Sequence, residues 1–195
     1  MKNKKFPTLI IFSILLATLI IAVIPTEAEG MIYEDTVRIH ILANSDLEID
    51  QNLKLEIRDL LLDKYSDGLK NLSSTQEAEE ALKGLIPYIE NDAEGYITEK
   101  GFDYKVKAEL VREWYDTRYY EDFTLPQGYY SSLKIIIGEG EGKNWWCVMY
   151  PPMCLYVATD DRLKKGYSDS EISLIKGEKM KVKFKILELI SEITR

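Results

Sequence analysis

Hydrophobic and polar positions change period several times along the chain. Leu9 to Ile24 carries no charge and is almost purely aliphatic. Val37, Ile39 and Ile41 then alternate with Arg38, His40 and Leu42, the period of a strand over Thr36–Leu42. Ala43-Asn44-Ser45-Asp46 ends that strand, and Ser45 with Glu48 reads as a capping box opening a helix. The helix is predicted to run to about Tyr65, with Ile49, Leu53, Ile57, Leu60 and Leu61 as its main apolar stripe and Leu55 and Leu62 on the opposite side. Asp67-Gly68 is expected to break it. Ser74 and Glu77 form a second capping box, after which Ala78, Ala81, Leu82, Leu85, Ile86, Ile89, Ala93 and Tyr96 keep one helical face. Gly84 and Pro87 inside this run predict a kink within one helix, which Gly95 or Gly101 ends.

Beyond Gly101 the period falls to two. Tyr104, Val106, Ala108 and Leu110 alternate with charged residues, a second strand is expected over about Thr117–Leu125, and Pro126-Gln127-Gly128 turns the chain. Ser132–Ile137 has a nearly continuous apolar end and reads as a central strand, followed by a strand over Trp145–Tyr150. Gly177–Ile193 fits both periods; its length and lack of turn signals favour a C-terminal helix, with the lysines from Lys176 to Lys185 as a solvated face. The predicted fold is α+β: a mixed, mostly antiparallel sheet with helices packed on one face, preceded by an N-terminal signal segment.

That segment has the parts of an export signal: Lys2, Lys4 and Lys5, the apolar run, and a small-residue site at Thr26-Glu27-Ala28. The apolar run would span about 24 Å as a helix, short of the roughly 30 Å of a bilayer core. Residues 1–28 are therefore read as a signal peptide, with an uncleaved anchor as the alternative, and 29–195 as a single domain on the outer side of the membrane. Cleavage after Ala28 would leave 22 basic against 32 acidic side chains. Such a balance argues against nucleic-acid binding, which needs cations to neutralise phosphate. No repeat or low-complexity segment interrupts the domain.

Two clusters carry unusual residues. Gly138-Glu139-Gly140-Glu141-Gly142 lacks the ending of a phosphate loop and reads as a hairpin turn. Behind it come Asn144, Trp145, Trp146, Cys147, Pro151, Pro152 and Cys154. The two tryptophans must point to opposite faces of a strand, one into the core and the other exposed or half-exposed. Cys147 and Cys154 are the only cysteines, and in an exported domain they are candidates for a disulfide. The alternative is a thiol hydrolase in which one of them is activated by His40, the only histidine, oriented by Asp46. Two Cys and one His leave a zinc site a ligand short, and no cofactor is expected. The other cluster runs from Arg38 through Asn44, Ser45 and Asp46 to Asp59: turn and capping residues, or a polar binding loop at a strand end.

Together these blocks resemble the stage II sporulation protein R family of endospore-forming bacteria. The resemblance rests on Arg38, His40, Ala43-Asn44-Ser45-Asp46, Asp50-Gln51, Leu53-Lys54-Leu55 and Arg58-Asp59, then on Gly138-Glu139-Gly140, Asn144-Trp145-Trp146-Cys147, Pro151-Pro152 and Cys154. It implies a non-enzymatic protein exported into the space between forespore and mother-cell membranes. There it would activate a membrane-embedded aspartic protease that removes the pro-sequence of sigma factor E. His40, the Asn44-Ser45-Asp46 loop and the segment from Asn144 to Cys154 are then the candidates for receptor contact, expected to lie side by side.

Overall fold

The computed structural model describes residues 9–17, 27–120, 123–154 and 163–177. Residues 9–17 are helical and expose their aliphatic side chains. No helix among the described residues is long and apolar enough to cross a membrane. The domain opens with α1 (Glu27–Glu34), so a cut after Ala28 would fall within this helix. Strand β1 (Val37–Leu42) follows, then helices α2 (Glu48–Leu69) and α3 (Thr75–Glu99). Strands β2 (Val106–Tyr115), β3 (Arg118–Tyr119), β4 (Thr124–Leu125), β5 (Gly128–Ile137) and β6 (Asn144–Tyr150) come next, then α4 (Asp169–Lys176).

The main sheet has the order β2-β5-β1-β6. β1 and β5 are parallel and central; β2 and β6 flank them antiparallel. The fold is thus α+β with a mixed, mostly antiparallel sheet, and the central place of β5 follows from its apolar run. A parallel pair needs a long crossover, which the two long helices and β2 supply. Val37, Ile39, Ile41, Leu133, Ile135 and Ile137 face α2 and α3, where Leu53, Ile57, Leu61, Leu82, Ile89 and Ala93 are buried against them. The opposite face carries its own apolar layer. Tyr115, Tyr130 and Val148 meet Ile32 of α1, Leu125 of β4 and Ile175 of α4 there.

Local chemistry departs from expectation at three places. Ser45 does not cap α2; the cap position is Leu47, with no side-chain bond, because the Ser45 hydroxyl is engaged with the Asp50 carboxylate instead. Gly68 does not break α2, which continues to Leu69, since burial of Tyr65 and Leu69 outweighs the ~1 kcal/mol cost of one glycine. Thr117–Leu125 is not a strand of the sheet; β3 and β4 pair only with each other. At α3 Ser74 caps the helix by accepting the Glu77 N–H, but the box is not reciprocal, because the Glu77 carboxylate accepts the Ser73 N–H instead; one helix runs through Pro87, and Gly101, at φ 85°, lies just past its end. The C-terminal helix expected beyond Gly177 lies outside the described residues.

Ile57 is fully buried between α2 and the sheet. Ile57→Ala should lower unfolding free energy by about 2–5 kcal/mol in urea titration.

Candidate functional site

The end of β1 is held by one buried carboxylate. Asp50, in the first turn of α2, accepts bonds from Asn44 Nδ2 (2.8 Å), Ser45 Oγ (2.6 Å) and Tyr104 OH (3.1 Å). Desolvation raises its pKa, and these donors more than offset that, leaving it below the ordinary value. The loop is bound equally to the β5–β6 turn. Asn44 Oδ1 accepts the Glu139 N–H at 3.1 Å, Asp46 Oδ1 accepts the Lys143 N–H at 2.7 Å, and the Gly142 N–H reaches the Ala43 carbonyl at 2.9 Å. Lys54, buried, donates to Gln51 Oε1 and to the Lys143 carbonyl, both at 2.7 Å. Glycines make this close approach possible. A Cβ on Gly142 would collide with the Ser45 carbonyl and one on Gly138 with Asn44 Oδ1, and Gly138 also has φ +59°.

This network brings Asn44, Ser45 and Asp46 beside Asn144, which pairs with Leu42. It does not bring Pro151, Pro152 and Cys154 there, because β6 carries them to the far end, where Tyr150 pairs with Val37. The loop residues direct their polar atoms inward, while Asp46 and Asn144 remain exposed. Pro151 and Pro152 are buried.

Neither tryptophan of β6 is freely exposed. Both are half-buried on opposite faces, Trp145 under the Arg58 guanidinium (5.1 Å to the ring centroid) and Trp146 under that of Arg118 (4.1 Å). The exposed tryptophan is Trp114, which stacks edge-on against Tyr129 at 5.2 Å. Its strand was recognisable from its period, but solvation at the sheet's end depends on where α3 lies, which no local pattern encodes.

His40 lies on the sheet face opposite the long helices, paired with Trp146. Its Nδ1 is 3.0 Å from Glu113 Oε1, and its Nε2 is buried with no partner among the described residues. Burial would raise the Glu113 pKa, but the His40 bond and charge, with Tyr115 and Ser132, bring it down to about 2. The carboxylate is therefore ionised and Nδ1 carries the proton toward it. Arg38, with 0% exposure, lies on the same face, 4.0 Å from the Tyr115 centroid and 5.1 Å from that of Tyr130. Its Nη2 donates to Tyr120 OH, and Nε and Nη1 have no hydrogen-bond partner among the described residues.

The cysteines belong to the other face. Cys147 is opposite Ile39 and packs in the core under α2 and α3, with Cys154 against it. The Cys–His pair of the hydrolase alternative is not assembled, because one residue's shift along a strand reverses the face. Its orienting acid is not Asp46 either; His40 has Glu113. Both cysteines are free thiols in the structure. Cys154 donates to the Val148 carbonyl at 2.8 Å, and its bond to Cys147 holds that thiol below its usual pKa.

Glu113 should make the protein acid-sensitive in a defined window. Its folded pKa lies below the roughly 4.3 of an unfolded glutamate, so its stabilisation is complete above that value and lost as pH falls toward about 2. Glu113→Gln should flatten the fall in melting temperature between these pH values, measured by circular dichroism.

The family model described as stage II sporulation protein R matches residues 33–160. A curated protein, "Stage II sporulation protein R" of Bacillus subtilis (strain 168), is 31% identical over 150 residues, covering 77% of this chain and 67% of that protein. No solved structure matches the chain.

Proposed function

This chain belongs to the stage II sporulation protein R family, and from that premise we propose that it is an exported signal between two cells of a sporulating bacterium. In this reading the forespore delivers it into the space between the two membranes. It binds a membrane-embedded aspartic protease of the mother cell and favours its active state, and the protease then removes the pro-sequence of sigma factor E. A ligand of this kind performs no chemistry; it binds one receptor state better than the other. The observation that carries the proposal is the family match across most of the domain, including both motif blocks. The apolar segment behind Lys2, Lys4 and Lys5 supports export.

Export also bears on the thiols. In an oxidising space Cys147 and Cys154 are proposed to join, their two protons and two electrons passing to an external oxidant. Closing this loop would stabilise by about 2.5 kcal/mol in the chain-entropy model.

The decisive assay adds purified residues 29–195 from outside to sporulating cells that lack the protein. Restored sigma factor E processing on an immunoblot is the expected result; a domain that folds yet leaves the precursor intact refutes the reading. Thiol titration of protein recovered from the external fraction should find no reactive thiol before reduction. Detection of two free thiols per chain would refute the bridge.

A further inference from the structure

Strand β2 is an edge strand, and among the described residues only half of its edge is covered. Val106 N–H donates to Glu94 Oε1 at 3.0 Å and Ala108 N–H to Glu90 Oε1 at 2.8 Å. These bonds fix which backbone groups face away from β5: those of the even-numbered residues. By the alternation of a strand the N–H and C=O groups of Leu110, Arg112 and Trp114 also point outward. No group among the described residues bonds to them. The cause is legible in α3. Glu90 and Glu94 stand one turn apart over the first half of β2, but the next turns back carry Ile86, Pro87 and Lys83, which offer no carboxylate.

Beside this open half lies a cleft of about 390 Å³, walled by Glu79 and Lys83 of α3 and by Tyr33 and Glu34 of α1, with Leu110 and Arg112 on its floor. No salt bridge among the described residues includes Glu34, Glu79, Lys83 or Arg112. At the end of the strand Trp114 and Tyr129 are 47% and 56% exposed. An unpaired edge is a template for another strand, and a rigid aromatic pair beside it is a natural anchor.

We propose that the open edge of β2, from Leu110 to Trp114, binds an extended segment of a partner protein, which adds a fifth strand to the sheet. Main-chain bonds supply affinity, and the cleft selects a segment bearing both an acidic and a basic side chain, to meet Lys83 and Arg112 on one hand and Glu34 and Glu79 on the other. A second copy of this chain suits the edge poorly. The chain has net charge −8, and two-fold pairing centred on Arg112 would oppose two guanidinium groups. That the partner is the receptor protease rests on the reading above; the edge itself does not.

Residues 29–195 are screened against displayed random decapeptides, and hydrogen exchange is followed with the best binder. Selected peptides should carry charges of both signs and slow exchange at the Leu110 and Arg112 amides. Leu110→Pro removes an outward donor while sparing the bonds to β5, and should weaken binding at least tenfold. Trp114→Ala, a surface change, should also weaken it should the proline variant fail to fold. Failure to select any peptide, protection confined to other segments, or a dimer in sedimentation that Leu110→Pro dissolves would overturn the proposal. In the sporulation assay, active wild type with equally active Leu110→Pro would separate the edge from the receptor. An inactive wild type would refute the signalling reading and leave the peptide result standing.

Discussion

The Asp50 carboxylate ties together parts of the chain far apart in sequence. Through Asn44 and Ser45 it holds the end of β1, through its own backbone the start of α2, and through Tyr104 the approach to β2. Asn44 extends the same network to the β5–β6 turn. A buried carboxylate is tolerable only when its oxygens are bonded, and removing one donor exposes the cost of the others. This accounts physically for the packing together of the polar loop and the glycine turn: neither has a place for its polar atoms without the other.

The sheet separates two chemistries. One face is an aliphatic core under the long helices and contains the cysteines. The other gathers Arg38, His40, Glu113 and several tyrosines beneath the short elements. Arg38 is accommodated by aromatic faces and a phenol, because among the described residues no carboxylate reaches it. With His40 and the thiols on opposite faces, these residues form structural units of different kinds.

Much of the fold was legible because apolar periods survive in the sequence: β1, both long helices, β5 and β6 follow from them. Contacts distant in sequence were less so. Ser45 matches a capping box, yet tertiary competition from Asp50 decides its partner. The short β3–β4 hairpin has the composition of a strand without a neighbour in the main sheet. The apolar layer on the second face is assembled from isolated residues of α1, β4 and α4, so no segment announces it. Of the candidate site, the pairing of the Asn44–Asp46 loop with Asn144 was foreseeable, whereas the stacking of arginines on Trp145 and Trp146 and the exposure of Trp114 depend on tertiary placement. The half-covered edge of β2 likewise depends on where the glutamates of α3 end.

If the motif is first a scaffold organised by Asp50, Asn44 and Asp50 must be energetically coupled. A double-mutant cycle of Asn44→Ala and Asp50→Ala, followed by urea unfolding, measures that directly. The predicted coupling is about 1 kcal/mol or more, with the double variant less destabilised than the sum of the singles. Additivity within about 0.3 kcal/mol would contradict the network's central place.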